Sequence, residues 1–220
     1  MRRLLLTLSL GMGLALIATV APAQSQDAST ASCGDEASFV NPRDFRLRYS
    51  TSRLTGQFED GKVNHLDPAM EWMDAGRFSE FELRHIDFLL QRWPNHYLAL
   101  QALIRFERGG GRASPTKPAV CYFELAHMFA PKDANVLILQ GIYFHGQNDE
   151  EMTERSWQEA LAIDPDSADA HYNLGLLYFN TERFDASLHH ATAAYNAGYP
   201  LPGLRNKLRR AGHWHNATSQ

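Results

Sequence analysis

The strongest constraint on this chain is that part of it repeats itself at a spacing of 34 residues. Gly141 and Phe144 recur as Gly175 and Tyr178, in a run, EALAIDPDSADAHYNLGLLYFNTERFDASLHHATAAY, that reads as the end of one helical hairpin and the whole of the next. A period of this length belongs to a supersecondary unit that cannot bury its apolar face alone and so stacks on copies of itself.

The types at fixed places in the unit have a packing reason. In residues 168–201, Leu174, Gly175 and Tyr178 take the seventh, eighth and eleventh places, and Ser187, Ala191 and Ala194 take the small-residue places of the second helix. Two antiparallel helices must approach closely, so Gly175 and Ala194 remove bulk while Leu174 and Tyr178 fill the seam. Gly175 is therefore expected at the crossing of the two helices of its own unit. Residues 134–167 carry Gly141, Phe144, Trp157 and Ala160 in the matching places and close at Pro165, just after Asp164. These residues at these spacings resemble the tetratricopeptide repeat.

Around the two clear units the pattern loosens. Residues 95–133 read as a divergent copy: a first helix from about His96 to Glu107, an inserted loop GGGRASPTKP, and a second helix carrying Ala119, Phe123, Ala126 and Pro131. Residues 67–94 read as a degenerate hairpin. Asp67-Pro68 looks like a cap followed by proline at the first helical position, Ala75-Gly76-Arg77 turns the chain, and Phe81, His85 and Phe88 share a face of the next helix. Residues 202–220 hold a capping helix, about Leu204 to Ala211, and a tail. Residues 24–66 form an irregular N-terminal arm with a short extended piece at DFRLRYST. The fold expected is all-α: an α-solenoid of stacked antiparallel helical hairpins with that arm and a C-terminal cap.

The first residues bear on location. Arg2 and Arg3, an apolar run from Leu4 to Val20 and the small-residue site Ala21-Pro22-Ala23 have the layout of a secretory signal peptide over 1–23, with an uncleaved anchor as the alternative. Its removal would change the formal charge from −4 to −6. A mildly acidic chain with no Lys/Arg cluster lacks the footprint of a nucleic-acid binder, and no later apolar stretch is long enough to span a membrane. The chain has two cysteines, Cys33 and Cys121, and an even count in an oxidising compartment points to a disulfide, with two unrelated thiols as the alternative.

There is no Gly-x-Ser-x-Gly elbow, His-Glu-x-x-His helix, Walker loop or dinucleotide fingerprint. Gly109-Gly110-Gly111 lacks the Gly-Lys-Ser/Thr ending of a phosphate loop and reads as a flexible insertion. Of the ten histidines, His189, His190, His213 and His215 invite a metal reading, but adjacent helical residues diverge, and 213 and 215 fall in a tail. His85 and His127 read as packed or hydrogen-bonded core histidines. Asp164, Asp166 and Asp169 lack the bend glycine of a calcium loop and serve the turn and the next helix start. No metal, cofactor or catalytic residue is expected.

The tetratricopeptide resemblance implies a protein or peptide partner, bound as a peptide or amphipathic helix on the face lined by the first helix of each unit. Family places map onto Ile138, Ile142 and His145 in one unit, and Tyr172, Asn173, Leu176, Phe179 and Asn180 in the next. These eight residues lack the lysines and arginine with which some relatives hold a terminal carboxylate, which argues against an acidic chain end. The role implied is a non-enzymatic scaffold in the bacterial periplasm, in envelope assembly, pilus biogenesis or secretion. The alternative is an enzyme or metal-handling protein using the repeats as a frame. If the leader is cleaved, mass spectrometry of protein taken from its native envelope will find a chain starting at Gln24; an intact Met1 in the membrane fraction would contradict export in soluble form.

Overall fold

The computed structural model describes residues 33, 41–111 and 119–214. Among them all regular structure is helical: α1 Ser52–Gly61, α2 Asp67–Asp74, α3 Glu80–Arg92, α4 Tyr97–Arg108, α5 Ala119–Phe129, α6 Ala134–Gly146, α7 Glu150–Ile163, α8 Ala168–Asn180, α9 Phe184–Asn196 and α10 Gly203–Arg210. Consecutive helices pack as hairpins into a helical solenoid, and no described helix is long and apolar enough to cross a membrane.

The hairpins start alike because their caps do. The first helices α4, α6 and α8 follow His96, Asp133 and Ser167, whose side chains accept from the backbone N–H groups of Ala99, Asn135 and Ala170. Each cap lies two residues after a proline, Pro94, Pro131 or Pro165, which cannot continue the preceding helix.

Within α6 and α7 the close approach is made at Gly141. The buried Trp157 indole rests on it and donates from Nε1 to the Ile138 carbonyl at 3.0 Å. A Cβ on Gly141 would collide with that ring. One unit later Ala191 stands where Trp157 stood, and Ser187 Oγ donates to the Gly175 carbonyl at 2.7 Å. The freed space over Gly175 is filled from outside the hairpin by Leu204 of α10, 2.5 Å from where a Cβ would sit, while the α9 backbone stays at 3.4 Å or more. Gly175 thus lies where the α9 backbone comes closest to α8, as expected of its unit, and is covered in addition by the capping helix. The cap works because α10 begins 35 residues after α8 and so takes the place of the next first helix.

Burial runs along the stack as adjoining clusters. A large one spans α2 to α6 around Leu100, Leu103 and Phe123, smaller ones join α6, α7 and α8, and the last packs Tyr172 and Ala194 under Leu204 and Leu208. Each hairpin is held mainly by its neighbours.

The N-terminal part departs from expectation. Residues 52–66 are helical, so the irregular arm ends where Thr51 caps the Leu54 N–H and Phe58 begins a buried face. Asp67 is no cap, because the helix passes through a π turn at Lys62–Leu66 straight into α2. Pro68 supplies the reason: it has no N–H to donate and its ring crowds the carbonyl a turn back, a conflict that one widened turn relieves. The piece expected to be extended is a 3-10 turn, Phe45–Leu47, with Phe45 buried against Phe58 and Trp93. Gly76 makes the sharp turn before α3 at φ +76°.

A disulfide joins Cys33 to Cys121 of α5 across 88 residues of sequence. In the chain-entropy view a closure of that length disfavours the unfolded state by on the order of 4 to 5 kcal/mol. The expected leader over 1–23, most of the arm ahead of Asn41, the loop after Gly111 and the tail with His215 lie outside the described residues.

Overpacking tests the α6–α7 contact. Gly141→Ala should cost roughly 1 to 3 kcal/mol in chemical denaturation, and the same substitution in a Trp157→Phe background should cost clearly less. Equal costs in the two backgrounds would mean that the indole is not what Gly141 accommodates.

Candidate functional site: a groove along the first helices

The first helices α4, α6 and α8 share one face, and a groove of about 270 Å³ opens on it. Tyr97 and Gln101 of α4 line one wall, Asn135, Ile138, Leu139 and Ile142 of α6 the floor, and Asp169 and Asn173 of α8, with Tyr199, the far wall. A second trough of about 260 Å³ continues along the α4–α6 seam; it shares Gln101, Leu139 and Ile142 and adds Ile104, Arg105 and Arg108. The chemistry is that of a recognition surface: aliphatic floor, amide rim and charges at the ends.

One edge of the groove is set by a buried polar network. Asp133, 2 % exposed, caps α6, and its carboxylate also accepts from Tyr97 Oη at 2.8 Å and from Asn95 Nδ2 at 2.8 Å. Asn95 is fully buried; its Nδ2 also donates to Asp44 Oδ1 at 2.9 Å, and its Oδ1 accepts the Phe45 N–H at 2.8 Å. Arg46 pairs with Asp44 and lies 3.7 Å from Asp133. The 3-10 turn, the α3–α4 corner and the start of α6 are thereby locked together, and Tyr97 is held upright in the groove wall. Burial pushes the Tyr97 phenol well above its ordinary range, with Asp133 adding to the rise. Burial would also raise the Asp44 carboxyl, but hydrogen bonds from Arg46 and Asn95 outweigh it and bring it down to about 2.

The eight residues mapped from the family pattern separate. Ile138, Ile142 and Asn173 line the groove. Tyr172, Leu176 and Phe179 do not: they pack in the cluster closed by α10, Tyr172 stacked on Tyr199 with ring centroids 3.8 Å apart. The reason is the cap itself, since α10 occupies the place of a following first helix and covers that side of α8. His145 is exposed near the end of α6, with its ring 6.1 Å from Trp157, and Asn180 is exposed at the last residue of α8. Tyr97, Gln101, Asn135, Asp169 and Tyr199 line the groove, and Arg105 and Arg108 its continuation, at positions to which the repeat pattern does not point. α4 starts 37 residues before α6 rather than 34, so the repeat period steps past its groove residues.

Histidines form contacts of their own. His171 Nδ1 lies 2.9 Å from His190 Nδ1 across α8 and α9, and His171 Nε2 lies 2.9 Å from the Pro165 carbonyl. His85 meets His65 at 3.2 Å between their Nδ1 atoms. His213 is not in a loose tail but stacks on Phe184, centroids 4.0 Å apart. His127 is partly buried, and its Nδ1 has no hydrogen-bond partner among the described residues. His96 is fully buried against Phe45, and burial lowers it to about 3. Among the described residues one trio of metal-ligating types converges, Cys33, Cys121 and Glu124; with the two sulfurs joined to each other, it offers no thiolates.

A family model described as TPR repeat matches residues 155–181, from the second half of α7 through α8. No curated protein matches the chain.

Two of these histidines make stability depend on pH. Burial, then the neighbouring His171 and His189, lowers His190 to about 4. The unfolded chain takes up that proton below about 6.5, the folded chain only near 4, so acidification through this window favours unfolding. His96 acts in the same sense over a wider window. The melting temperature should therefore fall steadily from pH 7 to pH 4.5, and His190→Gln should flatten part of that fall. A slope unchanged by the substitution would show that His190 is not held neutral by the fold.

Proposed function

We propose that this chain, a tetratricopeptide-repeat protein, is a non-enzymatic scaffold of the bacterial cell envelope that holds a peptide or amphipathic helix in the groove along α4, α6 and α8. The observation that carries the reading is the groove's make-up. Its floor is aliphatic, with Ile142 partly exposed over the buried Ile138 and Leu139, and Gln101, Asn135 and Asn173 stand around it with amide groups that can both donate and accept. An apolar floor with a polar rim suits anchoring side chains from a partner, while the amides satisfy its backbone. Export rests on the N-terminal sequence, and the disulfide between Cys33 and Cys121 suits an oxidising compartment such as the periplasm. Within the envelope the role would be to bring a partner to an assembly or secretion step.

The groove can be blocked without touching the core, because Gln101 is exposed and Asn173 half-buried. Gln101→Trp combined with Asn173→Trp should leave the helical circular dichroism and the melting temperature close to those of the unmodified chain. The pair should lower affinity for partners recovered by crosslinking in cells by about tenfold or more, about 1.4 kcal/mol. A folded double variant that keeps its partners at the original affinity would place binding on another face.

A further inference from the structure

The groove is graded in charge along the α4–α6 seam. Asp169 stands at one end, Ile138, Leu139 and Ile142 form the middle, and Arg105 and Arg108 stand at the other end. The two arginines differ in what already holds them. Arg105 is paired with the carboxylate of Asp74 on α2. Arg108 lies across the end of α6, where Gly146 leaves it room, and its Nη2 donates to the Ile142 carbonyl at 3.3 Å. Among the described residues no carboxylate lies within ion-pair distance of Arg108, and a guanidinium offers five N–H groups of which this one contact uses one. A cation oriented by backbone beside an aliphatic wall, with its remaining donors open, is complementary to a carboxylate.

The amides argue for the backbone state of the occupant. A bound helix already satisfies its own N–H and C=O groups, whereas an extended segment leaves them open for partners. Gln101, Asn135 and Asn173 stand over the aliphatic floor as such partners.

Building on the groove as the binding face, we propose that its occupant is an extended peptide segment bearing an aspartate or glutamate side chain next to aliphatic side chains. The aliphatic groups fill the α4–α6 seam and the carboxylate is held by Arg108, with Arg105 beside it. Asp169 at the opposite end sets the direction, since a second acidic group there would be repelled. The arginines come from α4, a helix whose register the repeat period does not predict, and they supply the basic end that α6 and α8 lack.

The test is selection from random dodecapeptides displayed at the N-terminus of a phage coat protein, panned on the full chain; in that format no peptide has a free C-terminus, so every carboxylate on offer is a side chain. Selected peptides should be enriched in Asp or Glu adjacent to Leu, Ile or Val, and should bind when resynthesised with an amidated C-terminus. They should lack helical signals when bound. Arg108→Gln should weaken the acidic peptide roughly tenfold, leave the Glu→Gln version of the same peptide unaffected, and be partly rescued by Arg108→Lys. Peptides without acidic enrichment, or indifferent to Arg108→Gln but lost with Gln101→Trp and Asn173→Trp, would overturn the charge assignment while leaving the groove standing. Peptides that bind as helices, or binding recovered only with a free C-terminal carboxylate, would overturn it equally. Failure to select any peptide, or selection of peptides insensitive to both sets of substitutions, would overturn the proposal together with the groove reading.

Discussion

A single carboxylate taken out of water, that of Asp133, determines how the regular and irregular parts of this protein meet. It caps α6, accepts from Tyr97 of α4 and is bridged by Asn95 to the 3-10 turn ahead of α1. An anion so buried is tolerable only when its lone pairs are filled by well-placed donors, so the donors are constrained as tightly as the acid. That fixes the angle between the α3–α4 hairpin and the stack that begins at α6, and with it the width of the groove between α4 and α6. Removing the donors would leave a charge stranded in the interior, and removing the charge would leave Asn95 and Tyr97 without their common acceptor.

Beyond that junction the structure propagates by contact between neighbours. The wedge changes from unit to unit, an indole over Gly141 and a leucine of the cap over Gly175, while the space it fills persists. A glycine at the eighth place is best understood as a vacancy kept open on the first helix. What fills the vacancy is decided by the element that follows. The cap at α10 ends the stack by burying Leu204 and Leu208 and turning Arg209 and Arg210 to solvent, which suits a terminal unit.

Much of this was legible in the sequence where the period is regular. The 34-residue spacing and the small residues at Ala160, Ser187, Ala191 and Ala194 define two hairpins, and a capping helix was expected over about Leu204 to Ala211. The helix over 52–66 was not legible, because its apolar positions are few and a polar, glycine-containing stretch masks the face carried by Phe58. The π turn depends on what Pro68 does to the carbonyls before it, which no periodicity reports. Of the residues at the family places, Ile138, Ile142 and Asn173 line the groove, whereas Tyr172, Leu176 and Phe179 pack under the cap, and the groove residues of α4 fall outside the period because of its shifted register. No local pattern marks Asp133, whose partners Asn95 and Asp44 are 38 and 89 positions away in sequence.

The proposed scaffold role depends on the groove being the face that meets a partner. Site-specific photocrosslinking in living cells addresses this directly, with a benzophenone side chain placed at Gln101 in the groove or at Glu159 on the outer helix α7, both exposed. Covalent adducts to a second protein should form from position 101 and be absent or much weaker from position 159. Adducts from 159 with none from 101, on protein whose disulfide and helicity are intact, would contradict it.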